Sequence, residues 1–369
     1  MSNVRSFEAG DVDAVADIFQ RLLRKDRAPA SADLKDYLGA LYLGAESRDA
    51  RLGSRVHVRA DGTVSGFIGV LPVEMEFEGR RVLAANCGSF VSDDRDCDPF
   101  AGARLLRDVL SGPQDLSFSE TSNDVSTDMW RSMRARVLGP YSLEWLRVLR
   151  PAAFAVEAAA RRVAAARLAR PLAKAADAVL CRRGRPRAWT YYTPLAGKAD
   201  AFLDEPASDG EFIDALPLVV QGFSLRPRWE RPVLETMLRH AARKALHGER
   251  VQHLVKTRSG KAIGAYLYYG DAGGIGRTVQ VLSAPGQESI VVECLLRNAH
   301  ERGLAAIRGQ TQPALLEAMI GKKCAFLQAS STVVHSRDPA LLEAMTSGRA
   351  FLNGLVGEGW TRLIGDRFG

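Results

Sequence analysis

The chain reads as an α/β (α+β) protein of two tandem domains. Each is a mixed, mostly antiparallel sheet flanked by helices, and a basic helical linker joins them. Three observations carry this reading. Residues 1–150 show strand and helix patterns in the order β, α, α, β, β, β, α, β, α, β. Residues 189–369 repeat that order in outline at similar spacing, which marks an internal duplication. Residues 151–188 between them are rich in Ala and Arg.

Val4 to Phe7 predicts the first strand. Asp11 stands where a helix cap is wanted, before Val12, Val15, Ile18, Phe19 and Leu22 at helical spacing. A second helix is expected over Ala32 to Leu43. Val56–Arg59 and Val64–Phe77 flank Asp61-Gly62, a strong hairpin signal. Glu78-Gly79 turns the chain into a strand ending at Val91. Leu105, Leu106, Val109 and Leu110 then line one face of a helix. Leu116–Ser119 is read as a strand, Asn123–Arg134 as a helix, and Tyr141–Leu149 as the strand closing the first unit. In the linker, Pro171 is expected to start a new helix. The second unit reads as helices at Glu211–Val220 and Glu230–Leu246, a hairpin of Val251–Lys256 with Ala262–Tyr269, and a strand at Thr278–Ser283. Helix Ile290–Glu301, strand Ala305–Gly309, helix Pro313–Met319 and a single strand Ala325–Val334 follow.

Composition narrows the classes. Of 369 residues, 46% are hydrophobic and 25% charged, as in ordinary soluble proteins. No apolar run reaches the roughly 18 residues of a spanning helix. The acidic start MSNVRSFEAGDVD lacks a signal-peptide core, which predicts a cytoplasmic protein. The five cysteines form no CxxC pair and the six histidines no HxxxH, so neither a disulfide framework nor a metal is expected. Residues 150–188 carry nine Arg and one Lys against Glu157 and Asp177, a local charge of +8 in a chain of +7. The basic character therefore belongs to one segment. That segment is a candidate contact for RNA or for an anionic membrane surface.

The stretch from Gly88 to Gly139 carries the chemistry. A strand runs into the small-residue turn Phe100-Ala101-Gly102-Ala103 and then a helix. Free backbone N–H groups and the positive end of a helix dipole suit a phosphate there. Asp93, Asp94, Asp96 and Asp98 oppose this unless they point away, and Arg95 and Arg104 offset them in part. Glu120, at a strand end beside the expected cleft, is the first candidate general base, and Tyr141 the nearest candidate acid. Each also has a structural reading, Glu120 as a helix-cap partner and Tyr141 as a core aromatic with a satisfied hydroxyl. Asn123 suits a helix N-cap. Cys87 reads as a small buried hydrophobe.

Together the element order and these residues resemble the GCN5-related N-acetyltransferase (GNAT) superfamily, in tandem-domain form. The family turn Arg/Gln-x-x-Gly-x-Gly/Ala falls on Cys97, Phe100 and Gly102, of which Gly102 matches. A second pattern falls on Asn123, Ser126, Trp130 and Gly139, with Trp where the family usually has the Tyr that protonates the thiolate. The resemblance implies acetyl-CoA or another acyl-CoA held by Phe100, Ala101, Gly102, Ala103 and Arg104. It implies an oxyanion site at the backbone of Ser89, Phe90 and Val91, and pantetheine contact by Asn123. The acceptor it implies is a small-molecule or sugar amine that attacks directly. The second unit's turn, Ala284–Ser289, lacks the glycine pattern, so that unit is expected to shape the substrate cleft. Two alternatives stand beside this one. One is an aminoacyl transferase resembling the FemABX group, using aminoacyl-tRNA held in part by the linker. The other is a non-catalytic GNAT-like binding protein.

Overall fold

The structure is a computed structural model and describes residues 3–44, 52–93, 98–160, 162–183 and 201–368. Cys97 and Arg95, with Asp94 and Asp96, lie outside the described residues, as do residues 184–200, which include the end of the basic segment at 184–188. The first half contains β1 (Asn3–Ser6), α1 (Val12–Leu22), α2 (Ala32–Leu43), β2 (Arg55–Val58), β3 (Val64–Phe77), β4 (Arg80–Ser92), α3 (Ala101–Leu110), β5 (Leu116–Ser122), α4 (Asp124–Ser132), β6 (Arg136–Val137) and β7 (Leu143–Val148). Helices α5 (Pro151–Ala160) and α6 (Arg170–Arg183) connect the halves. The second half contains β8 (Phe202–Pro206), α7 (Asp209–Val219), β9 (Leu225–Pro227), α8 (Arg231–Ala242), β10 (Arg250–Thr257), β11 (Ala262–Tyr269), β12 (Ile275–Ser283) and α9 (Glu288–Glu301). It ends with β13 (Ala306–Gln310), α10 (Leu316–Gly321), β14 (Ala325–Gln328), β15 (Ser331–Ser336) and α11 (Pro339–Thr346).

Local chemistry accounts for most boundaries. Ser31 starts α2 by accepting the N–H of Leu34. Pro171 sits in the first turn of α6, where its missing N–H costs nothing. Asp11 does not cap α1 with its side chain. Its carboxylate accepts the Glu8 N–H at 2.9 Å and pairs with Arg5. The linker is partly self-neutralised, since Glu157 pairs with Arg170 at 2.6 Å and Asp177 accepts the N–H groups of Ala152 and Ala153.

Two mixed sheets result. The first runs β1-β2-β3-β4-β5-β15-β6, with β9 added on β3, and the second runs β14-β7-β13-β12-β11-β10-β8. Pairing is antiparallel except for β4 with β5 and β12 with β13. The two halves exchange strands. β7, from the first half, lies between β13 and β14 of the second sheet. β15, from the second half, lies between β5 and β6 of the first. Two readings are thereby corrected. The strand expected to close the first unit pairs in the other sheet, and Ala325–Val334 is two strands in two sheets, parted by Ala329-Ser330. Strand periodicity names the faces of a strand but not its partner, so the exchange has no local signature.

Both faces of the sheets are covered. On β4, Val82 and Ala84 join a core shared with α1, α2, α7 and α8, while Leu83, Ala85 and Cys87 face a second core under α3. A third core joins β7, β10, β12 and α9 through Trp145, Val251, Val281 and Leu295. After α11 the tail, residues 350–368, has little regular structure yet is largely buried, with Phe351, Leu352, Leu355, Val356 and Trp360 in the shared core. Among the described residues no helix is long and apolar enough to cross a membrane.

Strand exchange and a shared core should make the two sheets unfold together. Trp360, 4% exposed, packs edge-on against His240 of α8. Trp360→Ala is expected to destabilise the chain by about 3–5 kcal/mol. Urea melts followed by far-UV and near-UV signals should remain a single coincident transition. Two separated transitions would show that the exchange does not couple the sheets.

Candidate active site

The site begins where paired strands part. β4 and β5 pair in parallel at Ala84–Leu116, Ala85–Ser117 and Asn86–Phe118, and no pairing follows. Two residues of β4, Ser89 and Phe90, face the single Ile68 of β3, because register passes from Gly69–Gly88 to Phe67–Val91. This is a β-bulge. Ser89 takes the left-handed conformation, φ 50°. Tyr42 of α2 donates to Ser89 Oγ at 3.0 Å. The Tyr42 ring fits because position 69 is Gly, where a Cβ would lie 2.4 Å from the ring.

The tail fills the opening between the strands. Glu358 places its carboxylate against Gly88, where a Cβ would stand 1.1 Å from Oε1. Its Oε2 accepts the Thr121 hydroxyl at 3.0 Å. Burial pushes the Glu358 carboxyl up to about 7, and the Thr121 hydrogen bond offsets only part of this. Beside it, Glu120 is 2% exposed and accepts backbone N–H groups from Gly354, Glu358 and Gly359 at 3.3, 2.5 and 3.0 Å. Burial pushes its carboxyl up to about 7, while those N–H groups pull the other way. Lys244, just after α8, donates to the carbonyls of Gly359, Thr361 and Ile364 at 2.9, 2.8 and 2.9 Å. Burial, helped by Arg277, pulls the Lys244 ammonium down to about 7.

A cleft of about 420 Å³ runs past Cys87, Gly88, Ser89, Phe90, Trp130 and Glu358 and reaches Arg277 and Arg308 of the second sheet. An adjoining cleft of about 520 Å³ shares Leu23, Phe90, Asn123 and Ser126 with it and extends to Gly102 at the start of α3. Together they form a continuous groove from a helix N-terminus, along the free edge of β4, to a buried carboxyl group.

The residues expected from sequence divide clearly. Ser89, Phe90, Val91, Gly102 and Asn123 line the groove. Asn123 also caps α4 by accepting the Ser126 N–H at 2.9 Å. Phe100 is 67% exposed, Ala101 is fully buried as the first residue of α3, and neither they nor Ala103 and Arg104 line the groove. Asp93 and Asp98 line it instead of pointing away. Asp98 accepts the Phe100 N–H and pairs with Arg104, and Asp93 pairs with Arg21. Glu120 is at the site, but as the anchor of the tail. Tyr141 is corrected: its hydroxyl is buried, donates to the Ala350 carbonyl at 2.6 Å, and does not line the groove. Cys87 donates weakly to Ala85 O at 3.6 Å, and burial pushes its thiol up, so it is held as a thiol rather than a nucleophilic thiolate. Glu358, the carboxyl in the opening, was missed because the tail has neither strand nor helix period.

No family model matches the chain, and no curated protein matches it in sequence. Solved structures do. A probable N-acyltransferase of Enterococcus faecalis V583 superposes with TM-score 0.58 at 11% identity, over 91% of this chain and 73% of that one. A GCN5-related N-acetyltransferase of Anabaena variabilis ATCC 29413 gives 0.57 at 10%, over 92% and 74%. Another from Kribbella flavida gives 0.52 at 10%, over 92% and 72%. The fold is thus GNAT-like, with two mixed sheets flanked by helices.

Gly88→Ala must displace Glu358, whose own N–H is held by Glu120. A loss of about 1–3 kcal/mol is expected from overpacking. At Gly139 an added Cβ meets nothing within 4 Å, so Gly139→Ala should stay within about 0.5 kcal/mol of wild type. Denaturant titration of both variants checks this, and equal effects would contradict the geometry at Gly88.

Proposed function

We propose that the chain is an acyl-CoA-dependent N-acyltransferase. The observation carrying this is the bulged, unpaired edge of β4, which opens onto a groove ending at Glu358. An extended pantetheine arm can pair with that edge as an added strand would. Backbone N–H groups around Ser89 to Val91 would face the oxyanion formed from the thioester. The donor's phosphates would lie near the start of α3, where Asp93 and Asp98 are each neutralised by an arginine, Arg21 and Arg104.

In this reading Glu358 is the base. Its carboxylate takes the proton of the attacking amine as the C–N bond forms. The C–S bond then breaks, and the thiolate takes that proton back. The transfer is downhill, because Glu358 sits at about 7 and an ordinary thiol at about 8.5. One carboxyl group serves both steps, which accommodates Trp130 where a Tyr acid is usual. The closed, buried setting keeps the proton between these groups. The acceptor amine would enter from the side of the second sheet, where the groove is lined by Arg277 and Arg308.

Acetyl-CoA titration by calorimetry should show saturable binding, and none at millimolar ligand would remove this function. With an accepted amine, kcat/KM should rise with pH through about 7 as Glu358 ionises. Glu358→Gln should lose roughly a hundredfold or more in kcat and flatten that limb. An unchanged limb in the variant would assign the base elsewhere.

A further inference from the structure

At the far end of the same groove, three strands bring two arginines against one carboxylate. Arg277 of β12 and Arg308 of β13 are directly paired in the parallel register, at the last pair before those strands part. Glu144 comes from the exchanged strand β7, opposite Gln310 and diagonal to Arg308. Its Oε1 lies 2.5 Å from Arg308 Nε and 3.5 Å from Arg277 Nη1. The three side chains are 35%, 25% and 13% exposed, for Arg277, Arg308 and Glu144 in that order. All three line the cleft that also holds Ser89 and Glu358.

The charge balance favours an anion. Two guanidinium groups, each with five N–H donors, face a single carboxylate. Two neighbouring cations, Arg24 of this cleft and Lys244 of the adjoining pocket, are turned to the tail. Lys244 donates to three tail carbonyls, and Arg24 donates to the carbonyls of Leu363 and Asp366. Glu120 spends its charge on tail N–H groups, and Glu358 stands at the reacting end. At this end the groove is lined by two fork-shaped cationic groups, a geometry matched to carboxylate or phosphate oxygens.

We propose that Arg277 and Arg308 are the recognition site for an anionic group on the acceptor. The substrate is then a small amine that also carries a carboxylate or a phosphate, anchored at this pair with its amine toward Glu358. Glu144 is the internal counter-ion that holds the two guanidinium groups in place until the substrate arrives. The role of the bound molecule as acceptor rests on the acyl-transfer function above, whereas the anion site stands on the side chains themselves.

The test uses the full chain with three probes: β-alanine, phosphoethanolamine and the uncharged-end analogue β-alaninamide. Binding is measured by calorimetry without donor, and thiol release is measured with acetyl-CoA. At least one anionic probe should bind and exceed β-alaninamide in kcat/KM by roughly tenfold or more. Which of the two does so separates carboxylate from phosphate. Arg277→Gln and Arg308→Gln should each erase the preference and leave acetyl-CoA affinity unchanged. Glu144→Gln should act in the opposite direction and strengthen anion binding, an outcome that a misfolded variant does not give. The inference is overturned if wild type treats the three probes alike or binds none. It is overturned equally if Glu144→Gln weakens binding as the arginine variants do, or if those variants weaken acetyl-CoA instead, which would give the pair to the donor's phosphates. Absence of acetyl-CoA binding alone would remove the acyl-transfer function and leave the calorimetric arm to decide the anion site.

Discussion

A buried carboxylate and a buried ammonium hold the tail between them, and the site is assembled around that clamp. Glu120 receives N–H groups of residues 354, 358 and 359, and Lys244 gives its three protons to carbonyls of 359, 361 and 364. The tail is thus oriented like a short dipole, with N–H groups at the anion and C=O groups at the cation. Neither charge is bonded to the other. Each is satisfied by backbone groups in place of a direct ion pair, and each still carries the cost of burial seen in its shifted ionisation. Glu120 comes from the first sheet and Lys244 from the second half, so the tail closes the seam between the two. Arg362 reinforces it by pairing with Asp33 of α2 at 2.9 Å and lying over Phe368.

The strand exchange gives the same seam its geometry. The chain crosses from one sheet to the other over Ala329-Ser330, and these two residues line the cleft that holds Ser89 and Glu358. Each parallel pair, β4–β5 and β12–β13, separates toward this crossing. One opening holds Glu358 and the bulge at Ser89. The other presents Arg277 and Arg308. The two ends of the groove are thus chemically unlike, a buried carboxyl group beside a bulged strand edge at one and a pair of guanidinium groups at the other.

Much of this fold is legible in the chain. Helix α2 falls on the expected residues, because Ser31 and an apolar spacing define it, and the Asp61-Gly62 hairpin is fixed by turn chemistry. The two mixed sheets flanked by helices are legible because each half keeps its own strand and helix periods. The exchange is not, since β7 and β15 read as strands whichever sheet receives them. Nor is the tail legible. Residues 350–368 mix large apolar groups with Gly354, Gly357, Gly359 and Gly365, a composition without period, and their burial is decided by distant partners. The site was legible to the same extent. Ser89, Phe90, Gly102 and Asn123 belong to a local strand–turn–helix pattern and reach the groove. Tyr141 was placed by nearness in sequence, and packing turned its hydroxyl to Ala350. Glu120 is expected at the end of a strand and lies within β5, and its work depends on backbone more than two hundred residues away.

The clamp is tested most directly by amide hydrogen exchange in the tail. In wild type the N–H groups of Gly354, Glu358 and Gly359 should be protected to nearly the level of global unfolding. In Glu120→Gln, those three amides should lose protection well before the core strands do. If they exchange freely in wild type, or keep their protection in the variant, the tail is held by something other than Glu120, and the placement of Glu358 loses its physical basis.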